Sequence, residues 1–257
     1  MASIIMLRAL FPMFAVFRVL LMLAVAVPAA ADVTDRLSRT SPLAPGVPVS
    51  LRVTIGQIQI SAWDRPELSI EIVRRAPDAA GLARIPPVVE ITPAAVALSV
   101  VQAEDGRDPA LRSDIVLRVP VGATLREIDL FEGRIDITGI TGSIAAHAER
   151  GEITMTRVAG AIRAETGMGA ITMTRAALSA DGLIRLRTFN GNVSVHLAPR
   201  PVNARILALS MGGTIASDIP LTRRERWGPR WGEATLGTGE PLISIDVVNG
   251  TITITCN

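Results

Sequence analysis

Four arginines and two tryptophans crowd one short stretch: residues 221–239, LTRRERWGPRWGEATLGTG, set Arg223, Arg224, Arg226 and Arg230 beside Trp227 and Trp231. An indole face stacks on a sugar or a guanidinium, and a guanidinium offers paired N–H donors to an oxyanion. Together they suit recognition of a glycan or an anionic polymer. The same residues have a second use, because an insertion between repeats can fold its bulk over an open sheet edge and keep that edge from pairing with another chain. Three carboxylates, Asp129, Glu132 and Asp136, could serve a polysaccharide-acting enzyme if the fold gathers them in one groove. The two histidines, His147 and His196, stand outside any nucleophile or metal motif. No glycine-rich loop leads into a helix to cradle a phosphate. The sequence therefore offers no catalytic residue, no metal ligand and no cofactor site.

What must position these residues is a repeat. GEITMTR at 151–157 returns as GAITMTR at 169–175, and from Gly133 the glycines fall at 133, 142, 151, 160 and 169, nine apart. Each opens a Gly-x-apolar unit, and two units make an 18-residue period. Such a period predicts stacked β-strand repeats. One series is GRIDITG, GEITMTR, GAITMTR and GNVSVHL; the other is GSIAAHA, GAIRAET and GLIRLRT, with an extra four residues within 176–181. Side chains alternate along a strand, so Ile135, Ile137, Ile153, Met155, Ile171, Met173, Val193 and Val195 should form an interior ladder. Ile144, Ala146, Ile162, Ala164, Ile184 and Leu186 should oppose it. Outward from the first series run the columns Asp136, Thr154, Thr172, Ser194 and Thr138, Thr156, Thr174, His196. Stacked Thr-x-Thr can order water on an ice-binding face, although strand propensity explains the same threonines. On the second series His147, Glu165 and Arg187 share one column, and Arg163 and Arg185 another. The fold expected is all-β: a single β-solenoid, a parallel β-helix-like coil of about 18 residues with two main strands per turn, and a looser β-rich N-terminal section.

Residues 1–31 read as a secretory signal, with Arg8 and Arg18 ahead of an apolar run and Ala29-Ala30-Ala31 before a cleavage site at Asp32. The domain division is then 1–31 signal, 32–46 flexible lead and 47–257 repeat domain. That domain subdivides into 47–120 N-terminal strands or cap, 121–217 regular coils, 218–241 Arg/Trp insertion and 242–257 final rung. All 26 basic residues are arginine, and losing Arg8 and Arg18 leaves 24 against 24 carboxylates. The mature chain is formally neutral, which removes any electrostatic case for nucleic acid. One cysteine, Cys256, permits no internal disulfide. No membrane anchor is expected once the signal is cleaved.

The order of motifs resembles a family. Gly56-Gln-Ile-Gln-Ile is followed by Trp63-Asp64, then by Val119-Pro120 ahead of Leu125, then by the nine-spaced Gly-x-Ile units. Leu236-Gly-Thr-Gly239 and Val248-Asn249-Gly250-Thr-Ile complete the series. Over about residues 47–255 this is similar to the bacterial "putative adhesin" domain family of unknown function. The resemblance implies an exported β-solenoid of the cell envelope and supplies no catalytic residues. The expectation is thus a non-enzymatic, adhesin-like structural or binding module, periplasmic or extracellular, whose partner is an envelope protein or glycan. Its binding residues would be Arg223, Arg224, Arg226, Trp227, Arg230 and Trp231. A polysaccharide-acting enzyme and an ice- or surface-binding Thr face are the alternatives.

Overall fold

Strict apolar–polar alternation over short runs, punctuated by glycine, leaves the chain one way to bury its isoleucines, which is to lay strand on strand with the same residue above and below. The computed structural model describes residues 32–180, 182–224 and 228–257; the expected signal segment 1–31 lies outside them. It is all-β. The strands in chain order are β1 (Val33–Pro42), β2 (Pro48–Trp63), β3 (Glu67–Ala76), β4 (Val88–Ile91), β5 (Val96–Val100), β6 (Arg112–Pro120), β7 (Thr124–Thr138), β8 (Ile144–Thr156), β9 (Ile162–Met168) and β10 (Ile171–Ala176). There follow β11 (Leu183–Asn190), β12 (Val193–Leu197), β13 (Ala204–Ser210), β14 (Ile215–Ser217), β15 (Thr222–Arg224), β16 (Arg230–Leu236), β17 (Leu242–Asn249) and β18 (Ile252–Cys256). One short helix, α1 (Ala79–Ala83), is capped by the Asp78 carboxylate, which accepts from the Gly81 N–H at 2.7 Å. All 18 strands belong to one mixed sheet. The sheet is not closed: among the described residues β1, β4 and β15 each pair on one side only.

Parallel, in-register pairing builds the centre. Ile115, Ile58, Ile135, Ile153, Ile171, Val193, Ile252 and Ile215 follow one another as direct partners from strand to strand. Facing them, Leu98, Leu51, Ile128, Ala146, Ala164, Leu186, Ile245 and Ala208 form a second ladder. Nearly all of both ladders lies in one buried cluster. Ala146 and Met155 are both buried on β8, Ala164 on β9 and Met173 on β10, Leu186 on β11 and Val195 on β12, and Ile128 and Ile137 on β7.

The turn between the two arms of each layer is set by glycine. At Gly133 (φ +141) a Cβ would overlap the carbonyl oxygen of Gly56 below it, and at Gly169 (φ +147) it would overlap that of Gly151. The layers can stack at strand spacing only because this corner carries no side chain. Buried hydroxyls satisfy carbonyls of the corner from inside: Thr166 Oγ1 donates to Gly151 O at 2.9 Å and Thr188 Oγ1 to Gly169 O at 3.1 Å.

Four departures from the sequence reading stand out. Residues 33–42, within the expected flexible lead, form β1, paired antiparallel with β3 over ten residues. Its side chains are mostly exposed, so backbone pairing and the Arg74–Asp35 ion pair hold it, neither of which shows in hydrophobic pattern. The section expected to be looser contains β2, which matches β7 residue for residue from Ser50 to Ser61 apart from Thr54. Strands β17 and β18, expected as the final rung, lie inside the stack, between β11 and β13 and between β12 and β14. Within the expected Arg/Trp insertion, β15 pairs antiparallel with β16, and β16 also pairs antiparallel with β13.

Candidate functional site

The described part of the Arg/Trp segment is carried by β15 and β16. Because β13 buries Ala204, Ile206, Ala208 and Ser210, their partners on β16 (Leu236, Ala234, Gly232 and Arg230) take the same side, while Leu209 and Trp231 pair on the opposite one. Arg230 Nη1 donates to Gly213 O at 2.6 Å, and Arg223 Nη2 to Ile215 O at 3.2 Å. Two of the expected ligand-binding guanidiniums thus hold main-chain carbonyls of the outermost layer. Arg224 is the register partner of Trp231; Arg226 and Trp227 lie outside the described residues.

The three carboxylates have separate surroundings. Asp129 lies 3.8 Å from Arg52 Nε, Asp136 accepts from Gln57 Nε2 at 3.1 Å, and Glu132 lines a furrow beside Arg134 and Arg150. Among the described residues no three of His, Cys, Asp and Glu come together as a metal-ion cluster. Among the described residues Arg52 is the one group whose acidity is clearly perturbed. Its pKa is raised above the usual guanidinium value first by the hydrogen bond from its Nη2 to Glu127 (2.7 Å) and that carboxylate's charge, which outweigh desolvation, with a lesser contribution from Asp129.

The threonine rows are longer than their repeats suggested, since Thr253 continues Ser194 and Thr255 continues His196. His196 interrupts them for a structural reason. Arg157 and Arg175 hold left-handed φ of 52° and 55°, at the position where Gly139 has 78°. The N–H groups of Gly139 and Arg157 donate to the carbonyls of Thr156 and Thr174, both at 2.9 Å. The Arg175 N–H donates instead to His196 Nδ1 at 3.3 Å. That fixes the Nε2–H tautomer, and Nε2 donates to Asn257 Oδ1 at 2.9 Å.

Sequence reasoning missed a concavity that involves the repeat itself. Along the glycine corner runs a furrow of about 870 Å³ whose floor is the bare main chain of Gly56, Gly133, Gly151 and Gly169. The residues just before each glycine (Glu132, Arg150, Met168) form one wall, and those just after (Gln57, Arg134, Glu152) the other. Arg75 and Asp114, which pair with each other, lie at one end with Arg112. Arg134 and Glu152 pair at 2.7 Å. Arg150 and Arg112 have no carboxylate partner among the described residues; Arg150 lies 5.7 Å from the Phe131 ring centroid. Beyond Met168 the same edge continues in register through Asn190 to Asn249, and Asn249 Nδ2 donates to Asn190 Oδ1 at 2.8 Å. The glycines were legible in the sequence as corners, and a corner without side chains is necessarily a groove.

No protein-family model matches the chain, and no curated protein does. Solved structures similar to it include a putative cell adhesion protein from Clostridium sporogenes, 11% identical, covering 87% of this chain and 100% of that one with a TM-score of 0.44. A putative adhesin from Bacteroides fragilis is 13% identical, covering 86% and 97%, with a TM-score of 0.42. A putative lipid binding protein from Parabacteroides distasonis is 12% identical, covering 86% and 96%, with a TM-score of 0.32.

Proposed function

We propose that this chain is an exported, non-enzymatic binding module of the cell envelope, built as a single β-solenoid closed at its C-terminal end by β15 and β16. Its ligand on this reading is an extended envelope glycan lying in the glycine-floored furrow. The observation that carries the proposal is the furrow's composition. A long trough whose floor is main chain and whose walls alternate guanidinium, carboxylate and amide suits a polyol chain, which needs many modest hydrogen bonds along its length. The free guanidiniums of Arg112 and Arg150 can donate without first breaking an ion pair. The Arg/Trp segment is the closure, because Arg223 and Arg230 are engaged with the chain's own carbonyls.

The test is retention of envelope polysaccharide fractions on the purified protein. Wild type should retain a glycan that an Arg112→Ala/Arg150→Ala variant of unchanged circular dichroism does not. Retention of an envelope protein alone, or equal retention by both forms, overturns the glycan reading.

A further inference from the structure

Two outward columns run side by side on the face formed by β2, β7, β8, β9, β11 and β17, and they handle charge in opposite ways. In the first, Arg52, Asp129, His147, Glu165, Arg187 and Asp246 are successive register partners, so each arginine has a carboxylate on an adjacent strand. In the second, Ala145, Arg163, Arg185 and Ser244 follow one another, and Arg163 stands directly against Arg185. Like charges opposed across neighbouring strands oppose folding. A third guanidinium joins them through an irregularity. Leu125 pairs with Ile144 and Ile128 with Ala146, so Arg126 and Glu127 share the single partner position of Ala145. The β2 register, with Val49 on Leu125 and Ser50 on Glu127, marks Arg126 as the extra residue. A bulge of this kind re-aims a side chain.

The result is a notch of about 110 Å³ over the Ala145 methyl, lined by Arg126 and Arg163 among others. Among the described residues none of Arg126, Arg163 and Arg185 has a carboxylate within ion-pairing distance, whereas Arg52, Arg134 and Arg205 each have one. Of the notch's own carboxylates, Glu127 is held by Arg52 at 2.7 Å. Glu165, on the same strand as Arg163 and with His147 and Arg187 as register partners, also lines the recess, so the Arg126 and Arg163 guanidiniums face one carboxylate that no ion pair among the described residues engages. Two guanidiniums, Arg126 and Arg163, thus line the recess beside Ala145 without an ion pair of their own, and Arg185 stands against Arg163 one layer on.

We propose that this notch binds one oxyanion group (a carboxylate, sulfate or phosphate) gripped between the Arg126 and Arg163 guanidiniums, with Arg185 adding charge from the next layer. Paired N–H donors on planar guanidiniums match such a group in a way that ammonium groups do not. The site lies on a different face from the furrow and does not depend on it. The experiment is titration of the purified protein, followed by NMR and calorimetry, with inorganic sulfate, inorganic phosphate, polygalacturonate and neutral dextran. Saturable binding of at least one anionic probe, weakened tenfold or more in Arg126→Gln/Arg163→Gln and blocked in Ala145→Leu, supports the site. Preference for polygalacturonate over the inorganic ions assigns a group carried on a polymer, and the reverse assigns a free ion. No saturable anion binding, or equal affinity in the Arg126/Arg163 double variant, overturns the proposal, and dextran binding reports on the furrow alone.

Discussion

The middle of the stack and its two ends are made by different rules. From β7 to β12 each layer lies on the one before it in chain order, parallel, with glycine over glycine and isoleucine over isoleucine. At the ends the chain steps over itself. β5 and β6 lie outside β2, and β13 and β14 lie outside β17 and β18. Antiparallel strands then finish the job: β3 and β1 on β6, β4 on β5, β16 and β15 on β13. A repeat alone offers each new layer an equally good template at both edges, which is also a template for another molecule. The ends end because their sequence stops repeating.

Changes that separate these two rules should differ in size. The largest effect is expected at the stacked corner: Gly169→Ala places a Cβ onto the Gly151 carbonyl and should lose about 4 kcal/mol or more of unfolding free energy in denaturant titration. Gly46→Ala, also at positive φ but with open space around it, should lose only about 1 kcal/mol. Equal losses would remove the corner's special status. Next, Met155→Ala leaves β8 with alanine at both Ala146 and position 155, a cavity expected to cost about 2–5 kcal/mol. At the C-terminal end Arg230→Met frees the Gly213 carbonyl and should cost about 1–2 kcal/mol. Its clearer sign should be self-association on size-exclusion chromatography as β16 loosens from β13. The smallest effect is expected from Arg134→Gln, which breaks an exposed ion pair with Glu152 and should stay below about 1 kcal/mol.

The middle was legible because its information is local and periodic. Ile153, Met155, Ile171 and Met173 declare an interior face by alternation, and the nine-residue glycine spacing declares the corners. The order of the layers was not legible for the same reason. Gly56-Gln-Ile-Gln-Ile and Gly250-Thr-Ile-Thr-Ile fit any neighbouring layer equally well, so nothing in their pattern says that β2 and β17–β18 are inner ones. The ends carry hydrogen bonds where the middle carries pattern. That Arg223 and Arg230 hold carbonyls of their own chain could not be read, because such a contact has no signature in sequence. On the outward face the Arg163–Arg185 column could be read from the period. Arg126 could not join it on paper, because a bulge shifts its register relative to Ala145.

The inward placement of β17 and β18 imposes a timetable. Residues 204–217 leave the ribosome, and on the proposed export route would cross a membrane, before the strands they must pair with, residues 242–256. The first layers can zip up as the chain appears, each new one laid on a finished surface. The last two cannot, since the outer one has no seat until the inner one arrives. For that interval the edge of β13 that β17 will take stays open, and the closing step joins segments about forty residues apart, the kind of non-local contact that slows folding.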